Sequence, residues 1–214
     1  MAGRKRKSAK NRPGRAPRRP GGAAVGLRII GGRFRGSKLD YHGDPRVRPM
    51  KDRTREAVFN LVGPAVEGKH AVDLFAGTGA LGLEAISRGA ARATLIEQHV
   101  PTAAVIRRNV ARLGVESRCD LITANVFFWA RQPAELGSTP WLVFSSPPYD
   151  FYVDRAGEML DLVGRLIDLA PPESLFVVES DERFDPAQLP GPGAWDVRRY
   201  APALVAIYRK PAAT

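Results

Sequence analysis

The sequence predicts an α/β fold with a mostly parallel, seven-stranded sheet covered on both faces, preceded by an N-terminal β-hairpin extension. Three observations lead there. From residue 71 onward, short apolar runs alternate with helical patterns, the order that builds parallel sheets. Most of those runs are apolar throughout rather than alternating in polarity, as strands buried on both faces are. A glycine-rich turn, Gly77-x-Gly79-x-x-Gly82, joins the first run to the first helix.

Each element has its own justification. Residues 27–41, LRIIGGRFRGSKLDY, place two strand-like stretches around a Gly- and Arg-rich turn, the pattern of a hairpin. Residues 44–49 are a Pro-punctuated connector. Residues 51–62 set Ala57, Val58, Leu61 and Val62 on one helical face, with Asp52 as the expected N-cap and Gly63-Pro64 as the stop. Strands are expected at 71–75, 93–97, 119–123, 141–145 and 174–180. The helices between them are expected at 79–89, 100–113, 126–131 and 152–169, the last stopped by Pro171-Pro172. Residues 196–201 and 203–209 read as a closing antiparallel pair. The organisation is thus a basic tail over 1–26, a hairpin-and-helix extension over 27–64, and a main domain over 65–214.

Charge is concentrated in the tail. Of 33 basic residues, nine lie within the first 19 positions: Arg4, Lys5, Arg6, Lys7, Lys10, Arg12, Arg15, Arg18 and Arg19. None of the 22 acidic residues lies there, so the net charge of +11 describes the tail more than the body. Such a segment has too little apolar surface to offset chain entropy and is expected to be disordered. Like-charged arms of this kind contact nucleic-acid phosphates without sequence preference. The single cysteine, Cys119, excludes an intramolecular disulfide, and the scattered His42, His70 and His99 argue against a metal cluster. No apolar run approaches the ~20 residues needed to cross a bilayer, and no apolar stretch of a secretory signal follows the basic residues. A soluble, cytoplasmic protein without membrane contact is expected.

The first candidate site is the turn Asp73-Leu74-Phe75-Ala76-Gly77-Thr78-Gly79. Its glycines allow a tight, Rossmann-like turn and close approach of a ligand to the backbone. Asp73, before the glycines, would repel a dinucleotide diphosphate and attract a cofactor with a positive centre, such as the sulfonium and ammonium of S-adenosylmethionine. Glu97 falls 18 residues after Gly79, where a carboxylate grips ribose hydroxyls. Asn125, after the third strand, offers an amide to an adenine edge or, equally, a cap to the following helix.

The second candidate site is Ser146-Pro147-Pro148-Tyr149, after the fourth strand. Two prolines stiffen the turn and fix the direction of the preceding carbonyl, and an aromatic ring follows. A rigid acceptor beside a flat ring suits an unstacked base bearing an exocyclic amine.

Together these residues resemble the bacterial 16S ribosomal RNA (guanine-N2)-methyltransferase family. The resemblance runs from about Arg28 to Lys210. It is carried by Arg28-Ile29-Ile30-Gly31-Gly32, Arg48-Pro49, Asp52-Arg53, Arg55-Glu56, Phe59-Asn60, the segment 73–85, Leu95-Ile96-Glu97, Pro147-Pro148-Tyr149 and Val178-Glu179-Ser180. It implies a class I S-adenosylmethionine-dependent methyltransferase fold, transfer of a methyl group to guanine N2, and 16S ribosomal RNA or a small-subunit assembly intermediate as partner of a monomer. It also implies Asp73, Phe75, Ala76, Gly77, Gly79, Glu97 and Asn125 as cofactor residues, with Ser146, Pro147, Pro148 and Tyr149 as the catalytic turn. RNA phosphates would be held by Arg33, Arg35, Arg48, Lys51, Arg53 and Arg55. Two positions depart from the family: Ser146 stands where Asp or Asn is usual, and Met50 where Thr is usual. The tetrapeptide also serves amino-methylation of other RNA or DNA bases, and the serine leaves open an RNA-binding assembly factor of the same fold.

Overall fold

The computed structural model describes residues 26–41, 43, 50–133 and 136–213. The tail through residue 25 and the connector at 44–49, Arg48 included, lie outside the described residues. Seven strands form one sheet: β1 (His70–Asp73), β2 (Arg92–Ile96), β3 (Cys119–Ile122), β4 (Trp141–Ser145), β5 (Leu175–Asp181), β6 (Asp196–Tyr200) and β7 (Ala203–Arg209). Their order is β3-β2-β1-β4-β5-β7-β6. The first five pair in parallel, and β7 runs antiparallel to both of its neighbours.

The helices are α1 (Asp52–Val62), α2 (Ala80–Ser87), α3 (Val100–Leu113), α4 (Val126–Trp129), α5 (Phe151–Asp154) and α6 (Ala156–Leu169). Strand residues alternate between two cores because successive side chains point to opposite faces. Ala71, Leu142, Phe144 and Val177 join one core with α1, α2 and α3 residues. Val72, Val143, Phe176 and Val178 join the other with α6 and the aromatic residues near it. Leu27, Ile29, Leu39, Val58, Phe59 and Val62 belong to the first core, so the extension and the sheet share buried surface. Gly114, left-handed at φ 64°, ends α3 where the sequence places its stop.

The hairpin expected over 27–41 forms: Arg28 and Lys38 bridge in antiparallel fashion, and the Leu39, Ile29 and Gly36 amides donate across it to the Leu27, Ser37 and Ile29 carbonyls at 2.8, 2.9 and 2.8 Å. The turn between its arms is held by α2. The Ile30 and Gly31 amides donate to the Glu84 carboxylate at 2.8 and 2.7 Å. The Arg33 amide donates to the Ser87 carbonyl at 2.7 Å, and the Phe34 amide to Ser87 Oγ at 2.9 Å. Only glycine fits at position 32, where φ is +72° and a Cβ would stand 2.0 Å from the Ser87 carbonyl oxygen.

Two local expectations need correction. Asp52 is the first helical residue of α1, not its N-cap; Lys51 holds that position without a side-chain bond. Asp52 pairs instead with Arg28 and Arg55, at 3.3 and 3.0 Å. The helix expected over 152–169 is two helices, α5 and α6, which meet at Arg155 (φ −132°, ψ 32°). Neither Pro nor Gly stands there. Arg155 leaves the helical path with its guanidinium over the rings of Phe127 and Phe151, 4.1 and 5.0 Å from their centroids. Glu158 holds it through two 2.8 Å bonds.

The contact between extension and α2 centres on Glu84, which is fully buried. Beside the two amides, it pairs with Arg88 at 2.8 Å and stands 3.6 Å from Arg55 Nε. Glu84→Ala leaves two loop amides without an acceptor and removes one of the two carboxylates that balance the buried Arg55. It is expected to cost about 3–5 kcal/mol of stability, measured by urea denaturation; a loss below 1 kcal/mol would remove Glu84 from this role.

Candidate functional site

Strand order reverses between β1 and β4, and ligands of open α/β sheets bind at the carboxyl ends of strands on such a switch point. Both candidate motifs leave the sheet there. The glycine turn follows β1 and the Ser-Pro-Pro-Tyr turn follows β4, with Asp73 in register with Phe144. The Leu74 amide donates to the Phe144 carbonyl at 3.0 Å, so pairing continues to the mouth of both turns.

In the first turn, Gly77 and Gly79 adopt φ of 53° and 80°, and Gly79 opens α2. Asp73 is 1% exposed and accepts the Gly82 amide at 3.2 Å through Oδ2. Burial pushes its carboxyl up to about 7, and the charge of Glu97 adds to that, while the Gly82 and Phe75 amides oppose it. Oδ1 is buried without a full hydrogen bond. Glu97 lies one residue beyond β2 and is half-buried. It accepts the Gly77 amide at 2.9 Å and the His99 amide at 2.7 Å, fixing the turn to the start of α3. Asn125 caps α4: Oδ1 accepts the Phe127 and Phe128 amides at 3.0 and 3.3 Å, and Nδ2 donates to Gln98.

Phe75 joins a cluster of rings. Its centroid lies 6.3 Å from Phe127 and 5.9 Å from Phe151, and those two are 6.2 Å apart. Arg155 covers the cluster from outside. Phe127, Phe151 and Arg155 escape a motif-based reading because they sit in two separate segments, each ordinary alone.

In the second turn, Pro147 is buried and Pro148 exposed. The Phe151 amide donates to the Pro148 carbonyl at 2.9 Å, closing the turn into α5. Tyr149 and Ser146 both donate their hydroxyl protons to Glu179 of β5, the tyrosine at 2.9 Å. Asp150 points elsewhere, to Arg183 at 2.9 Å. Glu179 has no role in a reading of the motifs by themselves. Its signal is a charge inside the apolar run of residues 174–180.

The basic residues divide sharply. Arg33, Arg35, Lys51 and Arg53 are exposed. Arg55, expected at the surface with them, is 0% exposed. Its donors go to Asp52 at 3.0 Å and to the Arg28 and Met50 carbonyls. It holds the extension together and cannot reach a phosphate. Among the described residues, no group of three or more His, Cys, Asp or Glu side chains is arranged to hold a metal, and no helix is long and apolar enough to cross a membrane.

The family model described as Conserved hypothetical protein 95 matches residues 27–209. Ribosomal RNA small subunit methyltransferase D of Escherichia coli (strain K12) is 36% identical over 186 residues, 86% of this chain and 88% of that protein. The solved structure of a putative methyltransferase, yhhF, from Escherichia coli superposes with a TM-score of 0.69 and 33% identity, covering 87% of this chain and 99% of that one. The T. thermophilus 16S rRNA N2 G1207 methyltransferase (RsmC), solved with AdoMet and guanosine, gives a TM-score of 0.66 at 20% identity. The match covers 86% of this chain and 49% of that one, and shows a common fold.

The environment of Asp73 has a measurable consequence. Between 3.8, the ordinary value, and about 7, the folded protein keeps a proton that the unfolded chain has released. Stability of the ligand-free protein therefore falls as pH rises through that window. Asp73→Asn is expected to flatten this slope in urea denaturation series, and an unchanged slope would contradict the assigned environment.

Proposed function

The chain belongs to the Conserved hypothetical protein 95 family, and we propose that it transfers a methyl group from S-adenosylmethionine to the exocyclic N2 of a guanine in 16S ribosomal RNA. One observation carries this reading. The glycine turn and the Ser-Pro-Pro-Tyr turn leave adjacent parallel strands at the switch point, so a cofactor on one and a base on the other are neighbours.

The residues of the first turn fit the cofactor. Asp73 carries a buried oxygen short of a donor, and a cationic ligand beside it favours its ionised form over the protonated one. Gly77 and Gly79, at φ of 53° and 80°, give the turn after Ala76 a tight path whose backbone a ligand can approach closely. Glu97 retains acceptor capacity beyond its two amide bonds, enough for ribose hydroxyls. Phe75, in its ring cluster, forms an apolar wall, and Asn125 shapes the far rim by holding the start of α4. When bound, this cofactor supplies an electrophilic methyl carbon on a positively charged sulfur.

The second turn holds the base. Tyr149 supplies a stacking face whose hydroxyl is tethered, and the stiff Pro147-Pro148 pair keeps Ser146 directed at the exocyclic amine. That amine is a weak nucleophile because its lone pair is shared with the ring. Rate acceleration then comes from holding nitrogen in line with the methyl carbon and from acceptors that draw on its N–H groups. The nitrogen gains the methyl and gives up one proton to water. Exposed Arg33, Arg35, Lys51 and Arg53, together with Arg48 and the tail, hold RNA phosphates. The protein acts as a cytoplasmic monomer on the RNA of a small-subunit assembly intermediate.

Purified protein is expected to methylate N2 of a single guanine in 16S ribosomal RNA lacking the modification, read by mass-spectrometric mapping. Methylation at another position or none at all would overturn the reading. Tyr149→Ala is expected to lose about 1–3 kcal/mol of base stacking, a roughly tenfold or greater loss of single-turnover rate, while calorimetry finds cofactor affinity unchanged. Replacing Arg33, Arg35, Lys51 and Arg53 by alanine is expected to weaken RNA binding and reduce its dependence on salt by about one unit of slope per lost phosphate contact.

A further inference from the structure

The Ser-Pro-Pro-Tyr turn has an anchor outside its own segment. β4 and β5 are parallel neighbours with Ser145 in register with Val178, so Ser146 and Glu179 follow side by side at the same end of the sheet. Glu179 is 5% exposed. Its Oε2 accepts the Ser146 hydroxyl and its Oε1 the Tyr149 hydroxyl, the latter at 2.9 Å. One buried carboxylate therefore governs both side chains that face the target base.

We infer, on the methyl-transfer reading above, that Glu179 is a positioning residue that sets Ser146 as a hydrogen-bond acceptor for the target amine. A hydroxyl has one proton and two lone pairs. Ser146 commits its proton to Glu179 and meets the substrate with lone pairs alone. It selects a group that donates, an N–H, over one that only accepts, such as a ring carbonyl. The carboxylate also polarises the serine O–H bond and raises electron density on Oγ. That density draws on an N–H of the amine and stabilises the positive charge that develops on nitrogen. In the step, the nitrogen lone pair forms the N–C bond, the C–S pair remains on sulfur, and one N–H proton then leaves to water. A carboxamide at position 179 reverses the polarity: its oxygen still takes the tyrosine proton, but its NH2 donates to Ser146, whose own proton then points at the amine.

The test is single-turnover methyl transfer by the full chain to 16S ribosomal RNA lacking the modification, with cofactor affinity read by calorimetry. Glu179→Gln and Ser146→Ala are each expected to lower the rate at saturating RNA and cofactor by about 10- to 100-fold, leaving cofactor affinity and RNA KM within about twofold. The double variant S146A/E179Q is expected to be no slower than S146A, because Glu179 acts through the serine. Wild-type rate in E179Q, or S146A/E179Q clearly slower than S146A, would overturn this inference alone. Cofactor binding with no guanine methylated by the wild type would overturn the proposed function, and this inference with it.

Discussion

A carboxylate withdrawn from water must be given donors, and this fold meets that constraint with the loops around its sheet. Glu84 takes the Ile30 and Gly31 amides and so holds the extension against α2. Asp73 takes the Gly82 amide, tying the first strand to the helix it feeds. Glu97 takes the Gly77 and His99 amides, joining the glycine turn to α3. Glu179 takes the hydroxyls of Ser146 and Tyr149. In each case a segment without regular ladder bonds is pinned by a side chain whose own burial would otherwise be unfavourable.

The same constraint explains how a site made of loops is held in place. Loops at strand ends have few backbone partners, yet transfer chemistry demands reactants placed to within a fraction of an ångström. The parallel pairing of β1 with β4, and of β4 with β5, sets the coarse positions of both turns. The carboxylates then fix their orientation. The ring cluster of Phe75, Phe127 and Phe151, covered by Arg155, closes a neighbouring side with apolar contacts.

Much of this was legible in the chain. The alternation of strands and helices gave seven strands within one or two residues of their observed ends, because buried parallel strands are short apolar runs with sharp boundaries. The two turns were legible because glycine and proline impose backbone geometry locally. Two features were not. Arg55 reads like its neighbours Lys51 and Arg53, since a basic residue on a helix looks solvated until the partner arriving at its face is known; here that face meets Glu84. The break at Arg155 carries neither Pro nor Gly and arises from stacking on rings 28 and 4 residues away in the chain, Phe127 and Phe151.

The sequence by itself determined the sheet, the two turns and the family, because each rests on local periodicity or on residues adjacent in the chain. The tertiary structure alone decided which charges serve the fold and which remain for a ligand. That division depends on burial and on pairing between distant segments: Glu84 meets residues 30 and 31, and Glu179 meets residues 146 and 149. A carboxylate takes its role from the donors that the folded chain brings to it, and no stretch of sequence around it records which donors those are.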